Sequence, residues 1–146
     1  MEIRATYKFQ ASVPDVWKLL MDPNAIEHCL PGCRKLQSLG DDRYQTELVV
    51  GVAAVTGTFA TSIALADKVP EESYRLNVEA NGKSGFARGY ARISLAPEGD
   101  GTVVTVVADA DAGGLIARVG QRLLEGVARM TMDRFYACLA SRVTSV

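Results

Sequence analysis

His28, Cys29 and Cys33 fall in one short stretch, and their types and spacing are the first in this chain to suggest chemistry. Imidazole and thiolate are zinc ligands, but a structural zinc site takes four donors, commonly as two close-spaced pairs, and Cys138 is the one further cysteine. With no second pair and no second histidine, we expect no metal. A Cys29–Cys33 disulfide is the other chemistry this spacing allows; the turn at Pro31-Gly32 opposes it. Three cysteines in a chain with an ample core read as reduced thiols in a reducing compartment. A single histidine cannot supply a secure Ser-His-Asp or Cys-His arrangement, so no catalytic residue is assigned. Asp109 and Asp111 alternate with Ala108 and Ala110, which puts both carboxylates on one face of a strand, the outer and solvated one. Arg88, Arg92, Phe86 and Tyr90 make a second outward stripe, open either to solvent or to a protein partner.

The elements that would position these groups follow from periodicity. Ile3, Ala5, Tyr7 and Phe9 alternate with Arg4, Thr6 and Lys8, as in a strand with one wet face. Ser12 offers a capping hydroxyl ahead of Pro14, and Val16, Trp17, Leu20 and Met21 recur at helical spacing. A second short helix runs from Asn24 to about Cys29 and stops at Pro31-Gly32, where proline disfavours helix in its predecessor and glycine tolerates the reversal. Six strands follow, separated by turn signals at Gly40-Asp41-Asp42, Thr56-Gly57, Pro70-Glu71-Glu72, Asn81-Gly82 and 97–101. One of their faces collects Tyr44, Leu48, Val50, Phe59, Ile63, Leu65, Leu76 and Val78, while the other shows Gln45, Glu47, Ser62, Arg75, Asn77 and Glu79. An antiparallel sheet with one buried face is expected.

From Leu115 to Leu139 the period becomes 3.6. Ile116, Val119, Leu123, Val127 and Met130 form one apolar stripe and Leu124, Thr131, Phe135 and Cys138 an adjacent one, with Arg118, Arg122, Glu125, Arg129 and Asp133 opposite. One strand, two short helices, six strands and a long helix is the order of an α+β helix-grip fold: a curved seven-stranded antiparallel sheet wrapped around a long C-terminal helix. The tail 144–146 reads as frayed. At 146 residues the chain is expected to form one domain, 1–146.

Bulk properties exclude some partners. A net charge of −1 gives no field to attract phosphate backbones, so nucleic acid is not expected. The longest apolar runs, such as 48–55, fall far below the ~20 residues of a membrane span, and Met1-Glu2-Ile3-Arg4 has no signal core. A cytoplasmic protein is expected.

A curved sheet around one helix leaves space wherever inward residues are too small to meet. On the strand from Phe86 to Leu95 the inward residues run Ala87, Gly89, Ala91, then Ile93 and Leu95; on the next they run Val104, Val106, then Ala108 and Ala110. Antiparallel pairing sets the small ends opposite each other, and Gly120 and Gly126 thin the helix above them, for close packing or for a ligand. The expected guest is a hydrophobic small molecule, because the inward residues are nearly all apolar; polar exceptions are Tyr7, Tyr44, Thr46 and Thr61. Candidate ligand-contacting residues are Trp17, Leu20, Leu30, Leu48, Val50, Phe59, Ile63, Leu76, Val78, Ala87, Gly89, Ala91, Val119, Leu123 and Val127, with Trp17 and Leu20 at an entrance.

Leu30-Pro31-Gly32-Cys33 before a strand, and Gly113-Gly114 with Gly120 and Arg122 spaced after it, resemble the G-subunit family associated with molybdenum carbon monoxide dehydrogenases, within the START-like (SRPBCC) superfamily. The resemblance covers Tyr7 to Leu139. It implies the same helix-grip fold and a non-enzymatic role accessory to a molybdenum hydroxylase, with a bound quinone or other apolar lipid and no covalent cofactor. It also implies peripheral contact with the inner face of the membrane. Longer members continue into a linker and an apolar tail, whereas this sequence stops at Val146, which suits a free carrier or a trimmed chain. Two rival readings are a cyclase-type enzyme of the same superfamily and an assembly or maturation factor acting through the Arg88, Tyr90 and Arg92 stripe.

Overall fold

Alternation of apolar and polar residues builds seven strands, and a computed structural model describes them over residues 1–52 and 55–143, omitting the Val52 side chain. Strand β1 (Glu2–Phe9) leads to helices α1 (Val13–Leu20) and α2 (Pro23–Cys29). Strands β2 (Gln37–Gly40), β3 (Arg43–Val52), β4 (Val55–Val69), β5 (Ser73–Gly82), β6 (Gly85–Glu98) and β7 (Gly101–Gly113) follow. A 3₁₀ segment (Leu115–Val119) then precedes helix α3 (Gln121–Val143). The strands form one antiparallel sheet in the order β1-β7-β6-β5-β4-β3-β2, with β1 and β2 at its edges. This is the expected helix-grip architecture.

Three local expectations are corrected. Thr56 and Gly57 lie inside β4, because their pairing with Gly51 and Val50 continues the β3–β4 ladder beyond the expected turn. Ser12 stands at the start of α1, but its side chain makes no capping hydrogen bond; its carbonyl accepts from Val16 N–H at 3.0 Å. In α2 the cap is Asp22, whose carboxylate accepts from Asn24 N–H at 3.0 Å. The terminal helix does not run unbroken from Leu115: the chain turns at Gly120 with φ 99°, and α3 starts at Gln121. The tail 144–146 lies outside the described residues.

The core has two parts. The larger joins α1, α2 and the last two turns of α3 to the sheet through Phe9, Val16, Leu20, Ile93, Val104, Tyr136 and Leu139. The smaller lies under the 3₁₀ segment and gathers Val55, Phe59 and Ile116, with Val50, Val119, Leu124 and Val127 against them.

Cys29 and Cys138 form a disulfide, with Cα atoms 5.4 Å apart. This corrects the expectation of three reduced thiols: α2 packs across α3 and brings together two cysteines 109 positions apart. Cys33 stays free, its Sγ 3.2 Å from the Thr46 hydroxyl. Arg129 and Asp133 lie on the exposed side of α3, as expected, and have a further role. They fasten α3 to the edge strand: Tyr7 O–H donates to Asp133 at 2.8 Å and Arg129 to the Arg4 carbonyl at 3.3 Å.

Candidate functional site

Small residues on two paired strands open a cavity in the core. In the β6–β7 ladder Ala87 faces Ala112, Gly89 faces Ala110 and Ala91 faces Ala108, whereas Ile93 meets Val106 and Leu95 meets Val104. The large pairs fill the sheet–helix gap, and the small ones leave about 310 Å³ unfilled. Helix α3 covers this space with Thr131, Met132, Phe135 and Tyr136, while α1, α2 and the turn after α2 contribute Leu20, Ile26 and Leu30. Strands β3 to β5 supply Leu48, Thr61, Ile63, Leu65, Tyr74, Leu76, Val78 and Ala80. The wall is almost wholly apolar.

Of the candidate residues, Leu20, Leu30, Leu48, Ile63, Leu76, Val78, Ala87, Gly89 and Ala91 are brought together on this cavity. Trp17 is not on the wall. It packs edge-on behind Tyr74, with ring centroids 5.7 Å apart. Val50, Phe59, Val119 and Val127 belong to the smaller core, where the break at Gly120 redirects the segment expected to extend α3 over the cavity. Leu123 is 36 % exposed and contributes to neither. Gly89 differs from its neighbours in the reason it is small. A Cβ there would stand 2.5 Å from the Asp109 carbonyl oxygen, so close approach of β6 and β7 requires glycine at this position. Gly126 has no such neighbour: a Cβ there would meet open space.

The turn Leu30–Cys33 seats the lower wall. Gly32 adopts φ +75°, its carbonyl accepts from Val49 N–H at 3.0 Å, and Cys33 bridges to Leu48. The Leu-Pro-Gly-Cys motif thus docks the exit of α2 onto β3 and carries Leu30 and Leu48 to the cavity.

Tyr74 and Tyr136 are cavity residues that the sequence reading does not include. Tyr136 sits four residues after Met132 and three before Leu139, so the most buried stripe of α3 is present at helical spacing, one residue out of phase with the expected stripe along Phe135 and Cys138. Its ring stacks on Tyr7 at 4.3 Å and meets Phe135 and Phe9 edge-on. Burial holds the Tyr74 phenol well above its ordinary pKa; for Tyr136 burial acts first, and charge on Tyr74 and Tyr7 adds to it. The remaining polar groups are engaged elsewhere. Thr61 donates to the Phe59 carbonyl at 3.1 Å, Thr131 to the Val127 carbonyl at 2.9 Å, and Asp109 takes the N-terminal ammonium at 3.4 Å. On the outer face Arg75 lies 4.2 Å over the Tyr90 ring and Arg88 5.6 Å over Phe86. Among the described residues no group of three or more His, Cys, Asp or Glu side chains could hold a metal. No described helix is long and apolar enough to cross a membrane.

The family model for the carbon monoxide dehydrogenase G subunit (CoxG) matches residues 6–144. Among solved structures, a conserved protein of Geobacillus kaustophilus is 32% identical, with TM-score 0.94 over 98% of this chain and 95% of its own. A START superfamily protein of Mycobacterium smegmatis shares 15% identity at TM-score 0.76, over 97% and 96% of the two chains. An aromatase/cyclase of the steffimycin pathway, a two-domain protein, shares 10% at TM-score 0.69, with 97% of this chain covering 50% of it. The last two likenesses are of fold alone. No curated protein matches the chain.

Proposed function

The chain belongs to the CoxG family of carbon monoxide dehydrogenase, and from that premise and its apolar cavity we propose a non-enzymatic carrier that shelters a hydrophobic small molecule. The observation that carries the reading is the cavity of about 310 Å³ between β6–β7 and α3, with its nearly unbroken apolar wall. Removing apolar surface from water contributes about 25 cal/mol per Å², so a ring system enclosed here gains several kcal/mol without any charged contact. The guest we propose is a lipid-soluble quinone, carried to or from a molybdenum hydroxylase. A water-soluble oxidoreductase and a membrane-dissolved electron acceptor do not meet readily, and a protein that enclosed the acceptor's ring would bridge them. The carrier needs no group that turns over a substrate, which accords with a wall whose threonines are bonded to backbone carbonyls.

The test is purification from the native host, extraction into organic solvent and mass spectrometry. A quinone in near-stoichiometric amount supports the reading. An extract free of apolar small molecules, together with unquenched Trp17 fluorescence on adding quinones, would remove it. A second reading, assembly of a partner enzyme through the outer sheet face, draws on the exposed Phe86 and Tyr90 rings. It expects partner co-purification to survive filling of the cavity.

A further inference from the structure

Two hydroxyl groups stand out in the apolar wall. Tyr74 is 4% and Tyr136 5% exposed, both side chains line the cavity, and among the described residues neither hydroxyl has a hydrogen-bond partner in the protein. A buried hydroxyl left unpaired forfeits one to a few kcal/mol, so such groups are nearly always satisfied. No fully enclosed polar side-chain atom among the described residues lacks a partner. The two oxygens therefore keep contact with open space, and the space that both side chains share is the cavity.

Their rings are held in place. Tyr136 is stacked on Tyr7 and flanked edge-on by Phe9 and Phe135, and Tyr74 is backed by Trp17. Tyr7 is differently employed, since its hydroxyl donates to Asp133. With Thr61 and Thr131 bonded to backbone carbonyls, the phenols of Tyr74 and Tyr136 are the uncommitted buried donors of this wall; Arg88 and Tyr90, which also border it, are exposed and in contact with Phe86 and Arg75. Burial keeps both protonated, so each presents O–H throughout the ordinary pH range.

Building on the carrier reading, we infer that Tyr74 and Tyr136 donate hydrogen bonds to a neutral acceptor on the guest, a ketone-like carbonyl, and thereby orient an otherwise apolar molecule with its polar end toward them. The cavity then selects more narrowly than for greasiness. A pure hydrocarbon would leave two buried hydroxyls unpaired, and a carboxylate would shed its water against a nearly apolar wall whose one bordering cation, Arg88, is exposed and drawn over Phe86; a carbonyl-bearing ring satisfies the donors at no such cost.

Two probes of nearly equal shape separate these cases, 2-acetylnaphthalene with its carbonyl and 2-ethylnaphthalene without it. Calorimetric titration of each into the wild-type chain and into the double variant Tyr74→Phe/Tyr136→Phe gives four affinities. Substitution by phenylalanine removes two oxygens and keeps both rings, and a thermal melt checks that the variant is folded. We expect the acetyl compound to lose about tenfold in affinity in the variant while the ethyl compound holds its affinity or gains. Equal change for both probes, or none for the acetyl compound, overturns the assignment while leaving the apolar cavity intact. Failure of both probes to bind the wild-type chain would instead sink the carrier reading and the assignment with it.

Discussion

A buried phenol without a nearby positive charge ionises with difficulty, and that links single side chains to the pH range over which this protein stays folded. For Tyr74 burial alone raises the pKa; for Tyr136 burial is followed by charge on Tyr74 and Tyr7. For Tyr7 burial leads, the hydrogen bond to Asp133 and its charge add, and Arg129 partly offsets them. In each case the folded pKa lies above the unfolded one, so below about pH 10 both states are protonated and the contribution to stability is complete. Above it the unfolded chain sheds protons that the folded chain retains, and stability falls with rising pH. Thermal midpoints should therefore drop from about pH 10 upward, and the Tyr74→Phe/Tyr136→Phe variant should show a shallower drop. Melts followed by circular dichroism, with phenolate absorbance read in parallel, check this. Phenolate from all five tyrosines in a still-folded chain would contradict it.

At the scale of elements, β6 and β7 carry small residues for two distinct reasons, and substitution separates them. At Gly89 a Cβ would press on the Asp109 carbonyl and stand 2.9 Å from Ala110 Cβ, so Gly89→Ala should force the strands apart and cost about 1–3 kcal/mol in urea unfolding. Ala91 faces the cavity, so Ala91→Leu grows into empty space; we expect a loss below about 1.5 kcal/mol and a guest affinity at least tenfold weaker by calorimetry. If Ala91→Leu leaves probe binding unchanged, the guest lies elsewhere. Ordinary alternation makes the strands legible in the sequence, and the run from Ala87 to Leu95 places the cavity's small end correctly. What alternation cannot give is the difference between Gly89 and Ala91, because the carbonyl that requires glycine belongs to another strand. Thr56-Gly57 misleads for a related reason, since glycine reads as a turn while its neighbours' pairing keeps it in β4. The break at Gly120 is hidden because the apolar stripe continues on both sides of it, and four of the six candidate residues that lie off the cavity, Val50, Phe59, Val119 and Val127, sit in the smaller core under that break.

For the molecule as a whole, the cavity's roof is fastened along two sides. Tyr7–Asp133 and Arg129–Arg4 tie α3 to the sheet edge, and the Cys29–Cys138 bond ties it to α2. None of these ties can be read locally. Each joins residues more than 100 positions apart, and in sequence Cys29 is far nearer to Cys33 than to Cys138; only the packing of α2 on α3 reverses that order. A cross-link closing 109 positions removes much of the unfolded chain's freedom, worth about 4–5 kcal/mol in the chain-entropy treatment. Cys29→Ser should therefore lower the urea midpoint of the oxidised protein substantially, and reductant should bring the wild-type chain down to the level of the variant without moving the variant itself. Cys33 cannot take the place of Cys29, since Gly32 and the bridge to Leu48 hold it on β3, beside Thr46. Because Ile26 and Leu30 reach the cavity from α2 and its exit turn, and Phe135 reaches it from α3, the same reduction should weaken binding of an apolar probe. A midpoint insensitive to reductant would mean that the two sulfurs are not joined in solution, and α2 would then be held on α3 by packing without a cross-link.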